Sequence, residues 1–250
     1  VQTIYLFDVD GTLTDPRQEI DDIFAGIFLD WVEEKNPIVY LVSGSDIKKI
    51  KQQMFDVLLN KCAGIFTCSG NQLWAQEQLI YQNKFRAPAG LLTDLKLYLE
   101  MGAQYKIRTG HHIERRPGMI NFSVLGRNAN LLQREAYSKW DKNAKEREDI
   151  VTYITENYPM LDVAIGGAIS VDIYPVGKDK SQVVEYLKEK HGPDLSFIFV
   201  GDRCVPGGND WPLALALEEE EHGHWIQVNS YHETRAIIEH SKLFIGEAGV

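Results

Sequence analysis

The chain has 250 residues, 44% of them hydrophobic and 25% charged, with 26 basic against 36 acidic side chains and a formal charge of −10. That length fits one large α/β domain or a core carrying a sizeable insert, and the composition excludes a disordered chain, a coiled coil and a collagen-like fibre. The acidic balance argues against a general nucleic-acid binder, and no apolar run reaches the roughly eighteen residues of a membrane span.

Ile4-Tyr5-Leu6-Phe7 is a short apolar run closed by Asp8-Val9-Asp10-Gly11, the pattern of a buried strand ending in a loop. Residues 18–34 follow with helical spacing that puts Ile20, Ile23, Phe24, Ile27, Phe28 and Trp31 on one face. A second strand is expected over 37–42, a helix over about 46–58 and a strand over 63–67. From about 85 to 175 the pattern changes. A helix over 88–100 is followed by strands at 105–109 and 119–124, a polar helix over 130–157, and strands at 161–166 and 169–174. The strand–helix alternation then resumes with a helix over 182–189, a strand over 196–200 and a last strand over 225–228.

This order predicts an α/β fold: a doubly wound parallel-sheet core, made of residues 1–84 and 176–250, with an inserted α+β domain over 85–175. Glu218–Glu221 is expected to be a solvated charge block. Cys62, Cys68 and Cys204 lack zinc spacing, and no signal-peptide layout opens the sequence, so a reducing, cytoplasmic setting is expected. Residues 243–250 read as a tail or a final packing segment.

The chemistry gathers at the strand ends. Asp8 and Asp10 lie two residues apart after a buried strand, so both carboxylates can face one site. Alone, the Asp-Val-Asp-Gly sequence is matched by an ordinary Asp-Gly turn with a capping Asp. A second acidic group removes much of that ambiguity: the strand over 196–200 runs into Gly201-Asp202 and then Gly207-Gly208-Asn209-Asp210. Open α/β sheets bind ligands at the carboxyl ends of their strands. Convergent carboxylates without soft ligands suit Mg²⁺. Ser43 or Ser45 stands after the second strand, and Lys180 begins the helix before the last motif, where it could neutralise a phosphoryl oxygen.

These four segments together resemble the haloacid dehalogenase superfamily of phosphotransferases. The resemblance implies Asp8 as nucleophile and metal ligand, and Asp10 as acid/base that also lends its carbonyl to the metal. It implies Asp202 as a further metal ligand, Asn209 and Asp210 as groups that orient the metal or its waters, and Ser43 or Ser45 with Lys180 as phosphoryl ligands. The middle segment sharpens the likeness. Arg116-Pro-Gly-Met-Ile-Asn121, Gly126-Arg127, Arg134 and Gly166-Gly-Ala-Ile-Ser170-Val-Asp172 are similar to the cap of eukaryotic-type α-phosphomannomutases, as are Pro16-Arg17 and Pro206-Gly-Gly-Asn-Asp210. The likeness spans residues 3 to about 235.

By position it implies that Arg116, Arg127 and Arg134 grip the non-reacting phosphate of a sugar, with Arg17 facing the substrate from the core. Ser170 and Asp172 would bond that phosphate or the sugar hydroxyls. Guanidinium forks suit the task because they offer bidentate donors that never lose their charge. The family further implies interconversion of mannose 6-phosphate and mannose 1-phosphate, a hexose 1,6-bisphosphate activator, a place in mannose metabolism and GDP-mannose biosynthesis, and a homodimer through the cap. A Mg²⁺-dependent sugar-phosphate phosphatase on the same core is the alternative, and a binding protein built on an inactive enzyme is the third reading.

The sequence departs from the family at Ala168, where Gln is usual, and at Lys178, where an aromatic is usual. It departs again at Ser69-Gly70-Asn71, where Glu-Asn-Gly is usual, and in having Ser43-Gly44-Ser45-Asp46 for Gly-Gly-Ser-Asp. Arg115, His111 and His112 are expected to be surface or loop residues, and Met119 and Ile120 strand core. The Asn121-Phe-Ser sequon is expected to go unmodified.

Overall fold

A computed structural model describes residues 1–240; the expected tail at 243–250 lies outside the described residues. The core sheet has seven strands: β1 (Gln2–Phe7), β2 (Ile38–Val42), β3 (Gly64–Thr67), β4 (Gln72–Ala75), β5 (Gln78–Gln82), β10 (Leu195–Gly201) and β11 (Gly223–Gln227). Their order is β11-β10-β1-β2-β3-β4-β5. The first five in that order run parallel, and β4 and β5 extend the edge antiparallel.

Strand alternation sorts the core. Tyr5 and Phe7 of β1 face one layer, where Phe28 and Trp31 of α1 (Asp22–Lys35) pack edge-on against Phe7 at 5.5 and 6.0 Å between centroids. Ile4 and Leu6 face the other, among Val183 and Leu187 of α7 (Gln182–His191) and Leu213 and Leu217 of α8 (Trp211–Glu218). Helices on both faces of a mainly parallel sheet bury it twice, which is why its strands read as continuous apolar runs.

The second sheet is antiparallel, in the order β6-β7-β9-β8: β6 (Ile113–Arg116), β7 (Met119–Phe122), β9 (Ser170–Pro175) and β8 (Leu161–Gly166). Ile120, Phe122, Val171 and Ile173 pack under α4 (Leu91–Leu97), α5 (Leu131–Ala144) and α6 (Glu146–Asn157). The alternate positions Glu114, Asn121 and Asp172 are paired across the strands and line up on the opposite face, toward the first sheet.

Several elements differ from the sequence expectation. The first helix begins at Asp22, not 18, because the Asp21 carboxylate caps it by accepting from Phe24 N at 2.9 Å. Ile23, expected on its buried face, is 63% exposed. The helix expected over 46–58 is two, α2 (Ile47–Gln53) and α3 (Asp56–Lys61), separated by extended Met54 and Phe55. The helix over 130–157 divides at Lys145, whose φ of 62° closes α5. No strand forms at 105–109. The Gln104 and Tyr105 amides are taken by the buried Glu146 carboxylate, and Tyr105 packs against Tyr137 and Trp140.

The β4–β5 hairpin had no sequence signal. Its two-residue turn, Gln76-Glu77, has both residues at positive φ without the Asn-Gly signature of such turns. The helices α8 and α9 (Tyr231–Glu239) likewise had no reading. Asn71 ties the connections between the sheets, donating from Nδ2 to Lys178 O at 2.9 Å while Asn83 Nδ2 donates to its Oδ1 at 3.1 Å.

Candidate active site

Because β1 lies between β2 and β10, the loops after these three strands leave the same edge of the sheet side by side. Asp8, Ser43 and Asp202 each follow one of them. The loop after β1 turns back at once: the Leu13 amide donates to Val9 O at 2.9 Å and the Gly11 amide to Thr14 O at 2.8 Å. Gly11 has φ +91°, and a Cβ there would stand 2.5 Å from Asp202 Oδ2. Only glycine lets these two loops touch.

Asp8, Asp202 and Asp210 bring carboxylate oxygens within 4.8 Å of one another. Lys180, fully buried, donates to Asp8 Oδ1 and to Asp210 Oδ1, each at 2.6 Å. Three carboxylates against one ammonium leave two negative charges to be balanced. The electrostatics carry that deficit. Burial, opposed by Lys180 and aided by Asp210, pushes Asp8 up to about 7, and burial with Asp210 and Asp8 pushes Asp202 up to about 9. Burial alone would lower Lys180, but Asp210 and Asp8 hold it above its ordinary value. The all-oxygen donor set, the charge deficit and the buried, unpartnered Asn209 Oδ1 fit a hard divalent cation such as Mg²⁺.

Asp10 is engaged differently. Its Oδ2 accepts from Lys49 Nζ at 2.9 Å and Ser45 Oγ at 3.2 Å, and its Oδ1 from Gln53 Nε2 at 2.9 Å and the Arg17 amide at 2.8 Å. Burial would raise this carboxyl, but Lys49, Gln53 and the Arg17 amide outweigh it and hold Asp10 at about 2. Lys49 and Gln53 were missed from the sequence. Their signal was a spacing of four on the helix that follows the serine motif, which puts both on one face.

Facing this floor, across a cleft of about 1120 Å³, stands a roof of arginines from β6, the loop before α5 and α5 itself. Arg116 donates from Nη1 to Gly44 O of the core at 2.9 Å and from Nη2 to Glu114 Oε2 at 2.6 Å. Arg127 Nε lies 3.2 Å from the same Glu114 oxygen. Arg134 donates from Nε to Ala129 O at 2.9 Å and from Nη2 to Arg127 O at 2.8 Å. Burial and like-charge neighbours depress two of these groups: Arg127, beside Arg116, falls to about 10, and Arg134, beside Arg17 and Arg127, to about 10. Crowded guanidiniums with donors to spare form an anion site.

The cleft thus gathers Asp8, Asp10, Arg17, Ser43, Ser45, Arg116, Arg127, Arg134, Ser170, Asp172, Asp202 and Asn209. Lys180 and Asp210 lie beneath its floor, both wholly buried. Asp172 accepts from Asn121 Nδ2 at 2.6 Å, 4.0 Å from Arg116 Nη1, and Ser170 Oγ donates to Gly166 O at 3.0 Å. Three contacts draw roof to floor: Arg116 to Gly44, Arg203 Nη1 to Gly167 O at 3.0 Å, and Ile165 N to Gly207 O at 3.0 Å. A buried carboxylate at a strand end, a second carboxylate beside it and a distant cluster of guanidiniums are an arrangement that can serve phosphoryl transfer on a substrate carrying a further phosphate.

Comparisons with known proteins agree. Residues 27–243 match the eukaryotic phosphomannomutase family. A phosphomannomutase of Solanum lycopersicum is 33% identical over 254 residues, covering 98% of this chain and 95% of its own. Phosphomannomutase 1 of Dictyostelium discoideum is 33% identical over 224 residues, covering 85% and 86%. Among solved structures, a protein of Streptococcus mutans superposes with a TM-score of 0.65 at 12% identity, covering 97% of this chain and 100% of its own. A haloacid dehalogenase-like hydrolase of Bacteroides thetaiotaomicron does so with 0.59 at 14%, covering 96% and 100%. At those identities the structures share the fold.

Proposed function

The chain belongs to the eukaryotic phosphomannomutase family, and from that premise we propose that it interconverts mannose 6-phosphate and mannose 1-phosphate through an aspartyl-phosphate and a hexose 1,6-bisphosphate. The observation that carries the reading is one cleft with two phosphate-seeking ends, the Asp8 floor and the arginine roof. A phosphatase needs only the first.

Asp8 Oδ attacks the phosphorus of a bound bisphosphate; the P–O bond to the sugar breaks, and the departing sugar oxygen takes back the proton that Asp10 received from the sugar hydroxyl when that bisphosphate was formed. In the return step the sugar hydroxyl attacks the phosphorus of phospho-Asp8, passing its proton to Asp10 and freeing the Asp8 carboxylate. The bisphosphate formed in the return step turns end for end before Asp8 attacks again, so that the other phosphate is the one removed. Asp8, Asp202 and the Asp10 carbonyl would hold Mg²⁺, with Asn209 and Asp210 orienting it. When bound, the ion would screen the carboxylate from the phosphate it attacks and polarise the phosphoryl oxygens. Lys180 would then serve chiefly to hold Asp8 and Asp210 in register.

Between the serines the hydrogen bonds favour Ser43. Ser45 Oγ donates to Asp10, whereas Ser43 Oγ accepts from the Ser45 amide at 3.1 Å and keeps its own proton for a phosphoryl oxygen. Arg116, Arg127, Arg134 and Arg17 would hold the second phosphate, with Ser170 beside them. Asp172, a carboxylate bonded to Asn121, suits sugar hydroxyls or the placing of Arg116 better than phosphate. The three contacts between roof and floor would hold the cleft closed over phospho-Asp8 and limit its exposure to water, which would otherwise hydrolyse it.

Family membership, rather than geometry, supports three wider assignments: a homodimer through the cap, a cytoplasmic location, and a role supplying mannose 1-phosphate to GDP-mannose biosynthesis. No described helix is long and apolar enough to cross a membrane. The test supplies protein and Mg²⁺ with mannose 1-phosphate and catalytic glucose 1,6-bisphosphate, following mannose 6-phosphate and free phosphate together, with Asp8→Asn as blank. Mannose 6-phosphate without phosphate release is the expected result. Phosphate release without isomerised sugar overturns it.

A further inference from the structure

A mutase of this kind needs a distal grip that lets go. The intermediate carries two phosphates and must leave the arginines once in every turnover to come back inverted. Four guanidiniums converging on one phosphate, with no counter-charge of their own, would hold it too long.

Glu114 supplies a counter-charge. It precedes Arg116 by two residues on β6 and is paired with Asn121, so it shares the face that looks toward the core. It is not among the residues that line the cleft, whereas Arg116 and Arg127 are. One of its oxygens, Oε2, accepts from Arg116 Nη2 at 2.6 Å and lies 3.2 Å from Arg127 Nε. The terminal nitrogens of Arg127 have no partner among the described residues and remain for a ligand. Although burial would raise the Glu114 carboxyl, Arg116 and Arg127 hold it below its ordinary value, so the charge is present throughout the neutral range. A phosphate seated on these guanidiniums feels that carboxylate through a poorly screened, half-buried path.

Resting on the mutase reading above, we propose that Glu114 is a positioning residue and built-in counter-charge that limits how tightly the distal phosphate is held. Its carboxylate stays bridged to Arg116 and Arg127 while phosphate is bound, orients the Arg127 fork, and loosens the grip enough for the bisphosphate to leave and turn.

The charge and the hydrogen bonds can be separated. In Glu114→Gln the amide oxygen still accepts from both guanidiniums, but the charge is gone. Calorimetric titration of the full chain with inorganic phosphate, and with glucose 1,6-bisphosphate, is expected to show about tenfold tighter binding in E114Q than in the wild type. Steady-state assays are expected to show KM and kcat falling together, because release of the intermediate slows. A purely structural role predicts weaker binding and a higher KM, and equal or weaker phosphate affinity in E114Q overturns the proposal. Should E114Q fail to fold, Glu114→Met, near in size and uncharged, answers the same question by the same criterion. Arg127→Ala separates the two levels of inference. If it leaves wild-type phosphate binding unchanged, the distal grip itself is wrong and this proposal falls with it. If binding depends on Arg127 but neither uncharged variant tightens it, only the role of Glu114 is overturned.

Discussion

Floor and roof of the cleft are opposites in charge and in how they are built. The floor is a knot of carboxylates around one buried ammonium, assembled from loops that leave neighbouring strands, and it carries surplus negative charge until a cation arrives. The roof is a row of guanidiniums propped by Glu114 and by carbonyl oxygens, and it carries surplus positive charge until an anion arrives. The comparison teaches that each half is an incomplete electrostatic arrangement. A cation completes one, a phosphate completes the other, and a substrate with phosphate at both ends can address both.

Perturbing each half separately breaks this comparison in order of expected effect. Asp8→Asn removes the nucleophile and should lower kcat on the order of 10⁴-fold with the fold intact, read in the coupled assay beside circular dichroism. Lys180→Met should act on the floor's stability rather than on contact with substrate. It leaves Asp8 and Asp210 buried without their shared partner, at a cost of about 3–5 kcal/mol in urea unfolding, and added Mg²⁺ should recover part of that loss. Arg127→Ala belongs to the roof and should leave stability nearly unchanged. The loss of a charged donor should raise KM by about 10- to 100-fold, with a smaller change in kcat.

The pH response should separate the halves more gently. Asp8 and Asp202 have folded values raised to about 7 and about 9, above those of an unfolded carboxylate. Protons bound there stabilise the fold fully below about pH 4, and that stability is lost as pH rises through the folded values. Chelator-treated protein should therefore melt at progressively lower temperature between pH 5 and 9, and saturating Mg²⁺ should flatten the slope. The roof arginines Arg127 and Arg134, at about 10, stay charged across that range and contribute little to it. A slope that survives Mg²⁺ would place the surplus charge somewhere other than the floor.

The two halves also differ in how much of them the residues announced. Asp8, Asp10, Asp202 and Asp210 were legible because each closes or follows an apolar run of four or more residues, and a buried parallel strand delivers whatever follows it to one edge of the sheet. Arg116, Arg127 and Arg134 were legible only through resemblance, since on an acidic surface an isolated arginine is ordinarily half of an ion pair. Lys49 and Gln53 escaped notice although their spacing places them on one helical face. Nothing local says that this face meets a carboxylate 39 and 43 positions earlier. Glu114 escaped for the same reason: its two partners come from different segments, β6 and the loop before α5.

By itself, then, the sequence determined the parallel core and the residues that end its strands. Those follow from apolar periodicity and turn chemistry acting within a few residues. The tertiary structure decided what periodicity cannot reach. The amides at 104 and 105 went to Glu146 rather than to a strand ladder, and Gln76-Glu77 adopted a hairpin turn without its signature residues. Lys180 sank beneath the floor instead of lining the cleft. The first and last of these are set by partners distant along the chain, whose burial and charge outweigh the local preference.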